Sequence, residues 1–175
     1  RSVSSAASDV YKRQNIYCEV RPSNVDEDVV KLGLLKEQAS PELISKNLAE
    51  LKANKVSLKR TDEIVLGADS VIDLNGELIS KPVDRKEAML ILKKLNGKEH
   101  QLISSVCISK NGSMIWNYTD KANLKMKHFS VKELEEYLLK ISDETLYAYN
   151  VYQIEGEGKK LFSDIRGEKD TIMGL

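Results

Sequence analysis

Asp69 follows a continuous apolar run, Ile64-Val65-Leu66-Gly67-Ala68, that is too short for a typical helix and suits a central strand covered on both faces. Read this way, the strand ends at Asp69-Ser70. Ligands of open α/β sheets bind outside the carboxyl ends of the strands, so Asp69 stands where an acid could act. A residue that merely begins a turn would occupy the same place, and position alone does not choose between the two. Lys81, beside Pro82, follows a hairpin that would return its ammonium toward that sheet edge, where it could meet a polyphosphate. Lys52, near the end of a helix, offers the same charge, and Glu27 sits in an acidic stretch that also suits plain surface. In Tyr152-Gln153-Ile154-Glu155-Gly156-Glu157-Gly158, two glycines let the backbone approach a ligand closely, although a glycine-rich turn explains them equally well. His100 reads as a packing or hydrogen-bonding residue, since no second His, Cys or carboxylate stands beside it at metal spacing. The chain has no GxxxxGK[ST], GxGxxG, HExxH or GxSxG motif.

The elements that must position these residues are signalled locally. Residues 1–14 are small and polar and read as a disordered or foreign lead-in; the domain is expected over 15–175. Ile16-Tyr17-Cys18-Glu19-Val20 reads as a short strand, followed by the acidic loop Asp26-Glu27-Asp28. Ser40-Pro41-Glu42 opens a helix, with Ser as cap and Pro at the first helical position, whose apolar face is Leu43, Ile44, Leu48 and Leu51. Asn75-Gly76 and Asn111-Gly112 each flank apolar segments and predict tight hairpins, because Asn and Gly tolerate positive φ. Between them Asp84 and Glu87 form a capping arrangement, Ala88, Ile91, Leu92 and Leu95 a helical stripe, and Gly97 a stop. Ser130 with Glu133 opens a further helix carrying Leu134, Tyr137, Leu138 and Ile141. Strands alternating with helices imply one α/β domain with a mixed sheet.

Lys+Arg and Asp+Glu both number 27, so no overall charge points to a nucleic-acid polymer or a membrane, and any basic site is local. The longest apolar stretches run only about five residues, far short of the ~20 of a membrane span. Cys18 and Cys107 stand far apart with no CxxC spacing, which fits a reducing cytoplasm.

Residues 65–106, VLGADSVIDLNGELISKPVDRKEAMLILKKLNGKEHQLISSV, resemble the Maf family of nucleoside triphosphate pyrophosphatases: GAD[TS], a hairpin, KP, a D-x-x-E-A helix, L-x-G-K-x-H and a strand. EVRPSNVDE (19–27), NLAELKA (47–53) and YQIEGEGKKLFSDIRGEKDTIMGL (152–175) look like its flanking segments, so the likeness covers nearly all of the chain from residue 15. The resemblance implies an elongated, two-lobed α/β fold with a central mixed sheet, shared with the inosine triphosphate pyrophosphatases. It implies Asp69 as proton acceptor, Ser70 as the neighbouring residue that affects substrate choice, Lys52 and Lys81 as phosphate-facing lysines, and Glu27 as the acid near the metal. Glu155 stands where many members carry Gln, a position linked to base selection.

The family's opening S-x-S-P-R-R motif has no counterpart at the implied spacing, where Ser5, Ala6 and Ala7 replace Pro-Arg-Arg; with the stop at Met173-Gly174-Leu175, this reads as truncation at both ends. The implied activity is hydrolysis of a nucleoside triphosphate to a monophosphate and pyrophosphate, with Mg²⁺ or Mn²⁺ held by Glu27 and Asp69, since oxygen ligands suit hard ions. The resemblance also allows a homodimer. The other readings are a nucleotide-binding regulator of septum formation and a catalytically impaired fragment.

Overall fold

The structure is a computed structural model that describes residues 18–173, so the lead-in lies outside the described residues. Helices α1 (Glu27–Lys36) and α2 (Pro41–Ser57) precede strands β1 (Ile64–Leu74) and β2 (Glu77–Ile79). Then come α3 (Arg85–Leu95), β3 (Glu99–Lys110), β4 (Ser113–Met126), α4 (Val131–Lys140) and α5 (Asp143–Tyr149). A short 3₁₀ turn (Glu157–Leu161), β5 (Phe162–Arg166) and α6 (Lys169–Met173) complete the order. The α/β class is as expected. The five strands lie in the order β2-β1-β3-β4-β5, and every pairing among the described residues is antiparallel.

The local signals act where they stand. Asn75 and Gly76 have φ of 54° and 88°, and Asn111 and Gly112 have 51° and 82°, so both turns use the positive φ that Asn-Gly tolerates. Ser40 caps α2, Asp84 caps α3, and Ser130 with Glu133 forms a capping box on α4. The α3 stripe Ala88, Ile91, Leu92 and Leu95 is buried with Leu134, Tyr137 and Leu138 of α4 against Ile72 and Leu124 of the sheet.

Four expectations change. β1 does not end at Asp69: it continues to Leu74, because β3 pairs with it from Ile64↔Lys110 to Asp73↔Gln101, and Asp69 lies mid-strand opposite Ser105. Nor is its apolar run covered on both faces, for Ile64 and Leu66 are exposed. On α2 the buried face is Ile44, Ser45, Leu48, Ala49, Ala53 and Ser57, whereas Leu43 and Leu51 are exposed. Small residues replace large ones there because α2 sits close on β1. A Cβ on Gly67 would lie 2.5 Å from Ala49 O, 2.7 Å from Ala53 N and 2.9 Å from Ala53 Cβ. Finally, Cys18, Glu19 and Val20 form no strand; the remainder of that predicted element lies outside the described residues.

β2 pairs only with Ile72, Asp73 and Leu74, so among the described residues the rest of the β1 edge has no strand beside it. A cleft runs along this edge, lined by residues 65–72 of β1. Among the described residues no helix is long and apolar enough to cross a membrane.

Candidate functional site

Glu27 reaches the cleft from the first turn of α1 rather than from a loop. Asp26 caps that helix by accepting a hydrogen bond from Val29 N, and Glu27 and Asp28 follow as the acidic first turn that a helix N-terminus favours. Lys52 projects from α2. Its ammonium donates to Asp69 Oδ1 at 2.7 Å, lies 2.9 Å from Glu27 Oε1 and reaches Ala68 O at 3.4 Å. Two carboxylates from separate elements therefore converge on one lysine.

The close seating of α2 on Gly67 sets this geometry, since Asp69 and Gly67 are on the same face of β1. Ser45 of α2 adds a second tie by donating from Oγ to Asp69 O at 3.0 Å. The Asp69 side chain is only 7% exposed, and its Oδ2 is buried without a hydrogen-bond partner among the described residues. An unpartnered buried carboxylate oxygen is costly, which makes it a candidate for a ligand or a proton.

Electrostatics divides the two acids. Burial raises the Asp69 pKa above the ordinary 3.8, and this outweighs the opposing pull of Lys52. Burial also pushes Glu27 upward, but Lys52, Lys31 and Lys81 together hold it below the ordinary carboxylate value. Lys52 is raised: burial acts to lower it, and the charges of Asp69 and Glu27 overcome that. The two carboxylates thus differ in character: Glu27 is held ionised by its lysines, whereas burial of Asp69 favours uptake of a proton.

Lys81 follows β2 at the same cleft, where burial of its ammonium lowers its pKa despite the attraction of Glu27. Lys31 is a further candidate that the motifs do not mark. Its side chain is 14% exposed, it lies 3.6 Å from Glu27 Oε2, and its charge acts on Glu27, Asp69 and Lys81. The i,i+4 spacing from Glu27 was the available signal.

The other sequence candidates lie apart from this cluster. Side chains alternate along a strand, so Ser70 is on the opposite face of β1 from Asp69. Its Oγ is 2.8 Å from Ser104 Oγ, which in turn donates to Thr171 O of α6 at 2.9 Å. Ser70 still lines the cleft, which wraps the open edge of β1 and reaches both faces. Glu155, with Gln153 and Ile154, lines the same cleft from the segment between α5 and the 3₁₀ turn. Tyr152 is not a free aromatic: it is 4% exposed and packs edge-on against Phe162, with centroids 4.9 Å apart. His100 is a buried hydrogen-bonding residue, its Nε2 2.9 Å from the Tyr152 hydroxyl.

Among the described residues no group of three or more His, Cys, Asp or Glu could hold a metal. Glu27 and Asp69 nevertheless suit a hard cation, because Asp69 Oδ2 is unpartnered and Mg²⁺ commonly takes one or two carboxylates plus phosphate oxygens. The site thus combines two carboxylates, three lysines and room for an extended anion.

Comparison with known proteins agrees with this chemistry. The family profile described as Maf-like protein matches residues 2–175. The chain is 68% identical over 174 residues to a nucleoside triphosphate pyrophosphatase of Pelagibacter ubique (strain HTCC1062), covering 99% of this chain and 89% of that protein. It is 40% identical over 153 residues to a nucleoside triphosphate pyrophosphatase of Roseobacter denitrificans (strain ATCC 33942 / OCh 114), covering 87% and 77%. A 7-methyl-GTP pyrophosphatase of Brucella abortus biovar 1 (strain 9-941) is 33% identical over 174 residues, covering 99% and 87%.

Proposed function

The chain belongs to the Maf-like protein family, and from that premise we propose that it hydrolyses a nucleoside triphosphate between the α- and β-phosphates. Water adds to the α-phosphorus, the bond to the bridging oxygen breaks, and a nucleoside monophosphate and pyrophosphate leave. The observation that carries this reading is the Lys52 ammonium held between Glu27 and Asp69, with Asp69 Oδ2 buried and unpartnered beside it.

Each residue has a role that follows from its surroundings. Asp69 takes a proton from the attacking water or orients it; burial raises its pKa above that of an ordinary aspartate and so makes it a better base. Lys52 keeps Asp69 in place and, with Lys31 and Lys81, neutralises the charge that grows on the bridging and leaving oxygens. Glu27 and Asp69 would hold Mg²⁺ or Mn²⁺, which when bound draws charge from the phosphate oxygens. Glu155 and Ser70, at other parts of the cleft, bear on the choice of base.

We also place the protein in the cytoplasm, as a monomer or homodimer. Cys18 and Cys107 are both free thiols, the state a reducing compartment maintains. The reading is tested by incubating the chain with a panel of nucleoside triphosphates, 7-methyl-GTP included, with and without Mg²⁺. Equal amounts of pyrophosphate and monophosphate are expected. Release of orthophosphate, or turnover of none of the panel, would overturn it.

A further inference from the structure

His100 stands opposite Leu124 near the start of β3, is 2% exposed, and makes its described side-chain hydrogen bond to one partner, the Tyr152 hydroxyl at 2.9 Å. Its Nδ1 is buried with no partner among the described residues. An imidazole in such a place is more costly than an aliphatic side chain of similar size, so its hydrogen bond has to accomplish something that packing alone would not. The rings of His100, Tyr152 and Phe162 form a buried trio, with centroids at 5.7, 5.8 and 4.9 Å.

The segment that follows Tyr152 is where this matters. Residues 150 to 153 are tied down one after another. Asn150 adopts a φ of 69°, accepts from Val151 N at 2.8 Å and donates to Ile79 O at 3.4 Å. Val151 O accepts from the Tyr137 hydroxyl at 2.9 Å. Tyr152 is held by His100. Gly158 closes over Gln153 so tightly that a Cβ would lie 2.5 Å from Gln153 O and 2.7 Å from Gln153 N. Beyond these anchors, Ile154 and Glu155 enter the cleft with Gln153, in the cavity that also contains Asp69 and Lys81.

We infer that His100 is a positioning residue for nucleotide selection: by fixing the Tyr152 hydroxyl, it sets the direction in which residues 153–155 leave the core to meet the substrate's base. The inference rests on the nucleotide reading of the cleft above. The tie is also efficient, because Tyr152 is adjacent in the chain to Gln153, so any rotation of the ring is passed directly to the segment. The Asn150 tie to Ile79 fixes the same segment relative to the β2 strand that leads into Lys81. The distance between base-facing and phosphate-facing groups is thereby set by the core.

The test compares the full chain with Tyr152→Phe, His100→Leu, the double variant and His100→Gln, measuring kcat and KM for ATP, GTP, CTP, UTP and 7-methyl-GTP. Tyr152→Phe keeps the ring and its packing, so it reads the hydroxyl without the fold; unfolding temperatures verify this. The spread of kcat/KM between the best and worst nucleotide is expected to narrow about fivefold in Tyr152→Phe and His100→Leu, the size of one lost hydrogen bond. The change should appear as unequal shifts in KM between nucleotides. His100→Gln, whose amide reaches the Nε2 position, should keep most of the spread, and the double variant should be no worse than either single one. An unchanged spread, or an equal loss for every nucleotide, would overturn the inference. If even the unaltered chain releases no pyrophosphate, the proposed reaction fails. The same spread, read as Kd by calorimetry, then decides the positioning role separately.

Discussion

The Lys52 ammonium lies 2.7 Å from Asp69 Oδ1, while the other oxygen of that carboxylate, Oδ2, is buried without a hydrogen-bond partner among the described residues. One oxygen anchors the group, and the other is the one the proposed mechanism uses. Asp69→Asn retains size and shape but lacks a base and a good ligand for a hard cation. It is expected to lower kcat by ~10² to 10⁴ while nucleotide binding in Ca²⁺, measured by calorimetry, persists. The pH profile supplies a second readout. Burial raises the Asp69 pKa, so the acidic limb of kcat/KM should lie above pH 3.8, with activity lost as pH falls through that limb. Near-normal turnover by Asp69→Asn would remove Asp69 from the mechanism.

Lys31→Gln removes a largely buried charge 3.6 Å from Glu27. The expected result is a KM for nucleoside triphosphates raised about fivefold or more at low salt, corresponding to roughly 1 kcal/mol of lost attraction. The difference from the unaltered chain should shrink as ionic strength rises, because added salt screens charge. A KM insensitive to this substitution at every salt concentration would show that Lys31 does not meet the phosphates.

Glu155→Gln replaces an acceptor-only carboxylate by a group that both donates and accepts. The ranking of nucleotides by kcat/KM should change, since base edges differ in their donors and acceptors. If the ranking stays as it was, Glu155 has no part in selection.

Gly67→Ala tests the seating of α2. The added Cβ meets backbone atoms Ala49 O and Ala53 N, which cannot move aside as a flexible side chain can. A loss of about 1–3 kcal/mol is expected, lowering the unfolding midpoint by several degrees. Activity should fall as well, because displacing α2 separates Lys52 from Asp69. An unchanged midpoint would mean that the two elements are less tightly apposed than the structure has them.

His100 carries a pH prediction. Burial pushes its pKa down to about 4 from the ordinary 6.5, so between these values the unfolded chain binds the proton and the folded chain does not. The contribution of neutral His100 to stability is therefore complete above about pH 6.5 and is lost as pH falls toward about 4. The unfolding temperature should drop more steeply across that window in the unaltered chain than in His100→Gln. Glu27, whose lowered pKa also costs stability in acid, is common to both and cancels. Parallel curves would exclude His100 as the titrating group.

Features whose causes are local were legible in the sequence. The Asn-Gly turns, the caps at Ser40, Asp84 and Ser130, and the buried stripe of α3 stand where their residue types demand. Asp69 was placed at a strand end because Ser70 interrupts the apolar pattern, yet pairing with β3 carries the strand through both residues. That is a tertiary effect which no window of residues contains. The exposed Leu43 and Leu51 have the same origin, for α2 turns its small residues toward Gly67. The meeting of Glu27 with Lys52 joins separate helices, so the family motifs pointed to both residues while spacing alone could not. Lys31 has a local signal, four residues from Glu27, but lies outside the family motifs.

Lys52 and Asp69 are 17 residues apart in the chain, whereas His100 and Tyr152 are 52 apart. Loop-closure entropy grows with the length of chain enclosed, so the first contact is the cheaper to form and can arise as soon as α2 meets β1. The segment 153–155 proposed to select the base follows β3, β4 and the helices beyond them in the chain, and its tie to His100 closes the longer loop. The pair proposed to react and the segment proposed to select thus depend on separate contacts, one closing a short loop and the other a long one. On the proposed reading, a lineage can revise the segment, and with it the nucleotide that is removed, without altering the Lys52–Asp69 contact assigned to hydrolysis.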